Sequence, residues 1–110
     1  MFKRENRLVP GIGFGNSYLF IAPQFILKEK KNGLSVNRFG IVVSKKIDKR
    51  AVVRNRVKRL FRTYLANLDK KMSKGHDILF IVKKEILTKA KQENQQSIQN
   101  ALEKAGIIKK

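Results

Sequence analysis

The sequence predicts an α+β fold: a single-domain two-layer sandwich in which a four-stranded sheet is packed by helices. Three observations predict it. Apolar residues run first in short segments rich in aromatic and β-branched side chains, switch to helical spacing, then return to a strand-length run before a second helical stripe. Hydrophobic side chains make up 42% of the 110 residues, enough to build a core at this length. There is no Cys, so neither a disulfide framework nor a thiolate zinc site is available to staple the chain.

Taken in order, residues 1–17 combine Lys3, Arg4 and Arg7 with Pro10, Gly11, Gly13 and Gly15, and are expected to be basic and irregular. From Ser17 to Glu29, the groups Tyr18–Ile21 and Phe25–Leu27 read as strand, with Pro23 marking a break or an edge. Lys30 to Gly33 is a turn, and Asn32-Gly33 is a hairpin signal when strands flank it. A short strand is expected near Leu34–Val36. The next has Phe39, Ile41 and Val43 on one face, with Gly40, Val42 and Ser44 opposite.

From Val53 the period changes. Val53, Val57, Leu60, Phe61, Tyr64, Leu65 and Leu68 form a helical stripe, with Asp48 as a candidate N-terminal cap. Gly75 breaks the polar stretch that follows. The continuous run Ile78–Val82 suggests a strand buried on both faces. Ile98, Ala101, Leu102 and Ala105 form a second amphipathic helix, ended by Gly106 at the C′ position. Phe20, Phe25, Phe39, Phe61 and Phe80 are expected in the core. The strand–helix–strand stretch from 38 to 83 has the form of a parallel crossover.

The charge narrows the partner. Lys and Arg number 26 against 8 Asp and Glu, a formal net charge of +18. Such an excess points to a polyanion, nucleic acid first and an anionic membrane surface second. No segment reaches the ~18–20 uninterrupted apolar residues of a membrane span. The charge is also uneven, since nine basic residues fall within Ser44–Arg62. At ~100° per residue, Asn55, Lys58, Arg59 and Arg62 face away from the apolar stripe, and Arg54 and Arg56 flank it. A merely solvated helix face usually mixes signs, yet residues 49–68 contain no acid. Four Arg between 54 and 62 favour structured phosphate, which guanidinium pairs bidentately.

Catalytic groups are sparse. His76 is the single His and is read as a turn or surface residue. Asp48, Asp69 and Asp77 are scattered, so no two-metal carboxylate cluster is visible.

Val43-Ser44-Lys45-Lys46, followed by Ala51-Val52-Val53-Arg54-Asn55-Arg56-Val57-Lys58-Arg59, closely resembles the signature of the protein subunit of bacterial ribonuclease P. Lys74-Gly75-His76-Asp77 and the apolar strand after it resemble the family's fourth strand, with Lys83 where Arg is common. The resemblance covers about residues 34–105. It implies a left-handed strand–helix–strand crossover, a large catalytic RNA as partner and precursor tRNA as substrate, cut to leave the mature 5′ end. It also implies that the chemistry, with its Mg2+, belongs to the RNA, and that the protein works in the cytoplasm without an obligate protein partner.

By resemblance, Arg54, Asn55, Arg56, Lys58, Arg59 and Arg62 would bind the RNA subunit, and Lys45 and Lys46 would reach phosphates near the 5′ leader. Phe14, Tyr18, Ile26 and Lys28 are candidates for the leader cleft, which family members form between the sheet and a first helix; core packing is the other reading of Phe14 and Tyr18. The glycines and Pro10 stand where that helix usually lies. A ribosomal or ribosome-assembly protein, or a DNA-compacting protein, would also suit the size and charge.

Overall fold

The first two strands, β1 (Tyr18–Ile21) and β2 (Phe25–Lys31), form an antiparallel hairpin whose last pair is Ile21 opposite Ile26. The expected break at Pro23 is the hairpin turn, closed by the Ala22 N–H donating to the Phe25 carbonyl at 2.9 Å. There follow β3 (Arg38–Val42), α1 (Ala51–Leu68), β4 (His76–Val82) and α2 (Lys91–Lys104), with 3₁₀ turns at Asp69–Lys71 and Lys84–Leu87. The structure is a computed structural model and describes residues 17–108.

The sheet order is β1-β2-β4-β3, with β4 antiparallel to β2 and parallel to β3. This corrects the hairpin expected at Asn32-Gly33. The turn forms, with Gly33 at φ +72°, but β4 lies between the two strands it joins. Asn32 bridges the two: its Oδ1 accepts from the Leu34 N–H at 2.7 Å, while its Nδ2 donates to Asp77 Oδ1 on β4 at 2.9 Å. The side chain thus makes a local turn and grips the intervening strand. No strand forms at 34–36, because the β3 ladder begins only where Arg38 meets Asp77.

Alternation and register sort the sheet into two faces. One carries the buried Phe25, Leu27, Phe39, Ile78, Phe80 and Val82. Against it lie Val57, Phe61, Leu65 and Leu68 of α1 and Ile98, Ala101 and Leu102 of α2, in one continuous core. The rings of Phe25, Phe61 and Phe80 meet with centroids 5.1–6.0 Å apart, mostly edge-on, which adds to the burial. Phe20 packs at its border.

Both helices cover that one face. Leu79 and Ile81 on β4 are therefore only half-buried, and the expectation of a strand buried on both sides holds for one face alone.

The helix ends follow local chemistry unevenly. Asp48 does not cap α1. It lies two residues too early, and its Oδ1 accepts from the Arg50 N–H at 2.8 Å, while Arg50 takes the cap position without a side-chain bond. At the far end of α2, Gly106 adopts φ +77°. Its N–H donates to the Glu103 carbonyl at 3.1 Å and the Ile107 N–H to Leu102 at 2.9 Å, the Schellman pattern that glycine at C′ permits.

Candidate nucleic-acid interface

Burying Val57, Phe61 and Leu65 fixes the rotation of α1 and turns its other side outward. Asn55, Arg56, Arg59 and Arg62 are exposed and Lys58 is half-buried. Among the described residues, no carboxylate pairs with any of these four cations. Asn55, Arg59, Arg62 and Thr63 line a shallow hollow of about 280 Å³. An amide set between two guanidiniums offers fork-shaped donors to a phosphate and both donor and acceptor to a base or ribose.

Arg54 stands apart. Its Nη1 donates back to the carbonyls of Asp48 at 3.0 Å and Lys49 at 2.8 Å, so the guanidinium fastens the segment between β3 and α1. Asp48 reinforces the same segment by accepting from Arg50 Nε at 3.0 Å and Nη2 at 2.9 Å. Those Arg50 hydrogen bonds hold its carboxyl down at about 2. Upstream, the Ile47 N–H closes a turn on the Ser44 carbonyl at 3.0 Å, leaving Lys45 and Lys46 exposed at its tip. The two lysines are thus presented by a fastened loop beside the start of α1.

The other face of the sheet, left uncovered by the helices of the described residues, is different in kind. Leu19, Ile21 and Val42 are exposed there, with half-buried Ile26, Leu79 and Ile81 between them. Lys28 stands on this face opposite Leu79 and beside Leu19. At the end of this face Arg38 forms a bidentate pair with Asp77, Nε to Oδ1 at 2.8 Å and Nη2 to Oδ2 at 2.7 Å. Burial pushes the Asp77 carboxyl up, but hydrogen bonds from Arg38 and Asn32 and the charges of Arg38 and Lys30 outweigh it and hold it below the usual carboxylate range.

The structure separates residues that the sequence groups together. Ile26 and Lys28 share the uncovered face, whereas Tyr18 pairs with Glu29 and so belongs to the helix-packed side of the edge strand, 40% exposed. Phe14 lies outside the described residues. His76 is neither turn nor surface: it opens β4, 9% exposed, with Nδ1 at 2.7 Å from Glu29 Oε2 and Nε2 at 3.0 Å from Ser73 Oγ. Ser73 is engaged by the chain beyond α2, its N–H and Oγ lying 2.9 and 3.2 Å from the Ile107 carbonyl. The trio ties β2, β4 and the segment after α2 together.

Among the described residues no three His, Asp or Glu side chains converge as a metal site. Glu29, Asp48, Asp69 and Asp77 are each committed to a cation or His partner, so this donor set does not fit a protein-held Mg2+. No helix among the described residues is long and apolar enough to cross a membrane.

Comparison with known proteins supplies the context for this cationic helix. The family model for Ribonuclease P matches residues 14–106. The ribonuclease P protein component of Clostridium botulinum (strain 657 / Type Ba4) is 45% identical over 78 residues, covering 70% of this chain and 69% of that protein. The Clostridium kluyveri ribonuclease P protein component is 39% identical over 101 residues, 90% of this chain and 84% of that protein. Among solved structures, the RNase P protein from Thermotoga maritima in complex with 1-(4-fluorophenyl)-2-thiourea superposes with a TM-score of 0.73 at 29% identity, covering 81% of this chain and 86% of that one. The RNase P protein of Staphylococcus aureus gives 0.75 at 26% identity, with 84% of each chain covered. The chain belongs to the ribonuclease P protein family, as the protein subunit of the endoribonuclease that matures tRNA 5′ ends and whose RNA carries the catalysis.

Proposed function

We propose a division of labour between two surfaces of this subunit. Asn55, Arg56, Lys58, Arg59 and Arg62 on the outer side of α1 bind the catalytic RNA. Ile26 and Lys28 on the uncovered sheet face carry part of the 5′ leader of precursor tRNA, with Lys45 and Lys46 reaching nearby phosphates. The observation that carries this reading is the outer side of α1, where four cations stand without a carboxylate partner among the described residues. Uncompensated like charge on one helix is unfavourable alone and favourable against phosphate.

The leader surface suits a strand of variable sequence, since apolar contact and one cation recognise any unpaired nucleotide by its faces and its phosphate. Arg54 acts at one remove, holding the loop that presents Lys45 and Lys46. Tyr18, on the opposite side of the sheet from Ile26 and Lys28, is not part of this surface. Mg2+ in the assembled enzyme falls to RNA phosphates, whose mutual repulsion the protein's cations reduce. The cytoplasm is the compartment this role implies.

Reconstitution tests the reading. Added to a bacterial ribonuclease P RNA at low magnesium, the folded chain should restore precursor-tRNA cleavage and should cleave nothing by itself. Absence of stimulation, with the protein shown to be folded, would refute it.

A further inference from the structure

A second depression lies on the other flank of the same helix. Between α1 and the start of α2 runs a groove of about 540 Å³, within the usual size of small-ligand clefts. Arg56 and Arg59 border it on α1; Lys89 and Lys91 border it at the start of α2, and no acid lines it. Its wall holds Leu60 and the ring of Tyr64, whose hydroxyl donates to Gln99 Oε1 at 3.1 Å and is thereby fixed between the helices. Arg59 and Thr63 line both this groove and the shallower hollow on the outer side of α1, so the two share a border.

One polar group is left over. Asn94 lines the groove at 3% exposure; its Nδ2 donates to the Ile86 carbonyl at 3.0 Å, and its Oδ1 finds no partner among the described residues. A buried acceptor without a donor is uncommon.

We propose that this groove receives an unpaired nucleotide of the RNA subunit, with Lys89 and Lys91 adding phosphate contacts to those of α1. The inference rests on the assignment of α1 to the RNA subunit and extends it to a second helix. The four bordering cations select a polyanion. A concave shape with Leu60 and Tyr64 in its wall selects one that can offer a base face, which a base-paired segment hides.

The test uses the full chain and intact RNA subunit. Lys89 and Lys91 are exposed, so Lys89→Ala/Lys91→Ala should fold normally, as thermal unfolding would verify. The double variant should bind the RNA subunit about tenfold more weakly. Its salt slope should be shallower by roughly 1.5, that is ~0.7–0.9 for each phosphate no longer neutralised. Its preference for precursor over mature tRNA should be unchanged. Unaltered RNA-subunit affinity, or a loss confined to precursor binding, would overturn the groove proposal.

Arg56→Ala separates the two levels. If it too leaves RNA-subunit affinity intact, the assignment of α1 itself fails; if it weakens binding while the lysine pair does not, only the groove fails. A photocrosslinker on Thr63→Cys gives an independent readout, because the chain has no native cysteine. Crosslinks should map to unpaired nucleotides of the RNA subunit. Crosslinks confined to base-paired segments, to the precursor leader or to protein, or none at all, would refute the assignment.

Discussion

Arg38 and Arg56 carry the same guanidinium but serve opposite ends. Arg38 lies across the end of the uncovered sheet face, locked to buried Asp77 by two short hydrogen bonds. Arg56 stands on the outer side of α1 with no carboxylate in reach among the described residues. The difference teaches how to read a chain with so large a positive excess. Its few acids are placed where they hold loops and strands: Asp77 on Arg38, Asp48 on Arg50, Glu29 on His76. Four of the cations left over, Arg56, Lys58, Arg59 and Arg62, stand on one helix, where like charges repel one another. The paired cations hold the fold together, and the unpaired cluster is the surface proposed above for the RNA partner.

The comparison can be broken most severely from the inside. Phe61→Ala removes the ring that joins α1 to Phe25 and Phe80, and should cost about 3–5 kcal/mol of stability in chemical denaturation. RNA binding should then fail because the helix is no longer held. A loss below about 1 kcal/mol would mean that α1 is held chiefly by other contacts.

Asp77→Asn comes next. It keeps the shape but removes the charge from the Arg38 pair, and about 1–3 kcal/mol should be lost. The sign of the pH dependence follows from the lowered carboxyl. The stabilisation is full above the unfolded carboxylate value, about pH 4, and fades as pH falls through the lower folded value. Asp77→Asn should therefore flatten part of the acid limb of a stability–pH curve. If the limb is unchanged, the pair contributes nothing.

Arg56→Ala sharpens the contrast from the outside. Stability should change by less than about 0.5 kcal/mol, while affinity for the RNA subunit should fall about tenfold, equivalent to ~1.4 kcal/mol. Filter binding across a salt series, alongside thermal unfolding, separates the two. Lys28→Ala should have the smallest effect, a roughly threefold loss for precursor tRNA with a leader, as expected of one solvent-screened phosphate contact, and none for mature tRNA. Equal loss for both substrates would remove the uncovered face from the leader path.

Much of this was legible in the sequence because it is local. The stripe from Val53 to Leu68 needs only the 3.6-residue period to become a helix with one core side. Gly106 ends α2 because its neighbours' carbonyls need a residue that tolerates positive φ. Other features were not legible. Asn32-Gly33 specifies a turn, but nothing nearby says that β4 will insert between the strands it joins. Tyr18 is grouped with Phe14, Ile26 and Lys28 by resemblance, yet the hairpin register with Glu29 decides which side of the sheet it takes. Arg54 sits in the most recognisable tripeptide of the chain, and only the path of residues 48–49 reveals that it bonds backward.

By itself the sequence determined the element types, the core phenylalanines, the cationic side of α1 and the family signature around Arg54-Asn55-Arg56. Periodicity and composition act within one helix turn or one strand repeat, and so survive without knowledge of the fold. Only the tertiary structure decided the sheet order, the pairing of Arg38 with Asp77 across 39 positions, the burial of His76, and the groove that brings Lys89 and Lys91 beside Arg56 and Arg59. Each of these depends on strand register and helix docking, which are set by the burial of the whole core at once.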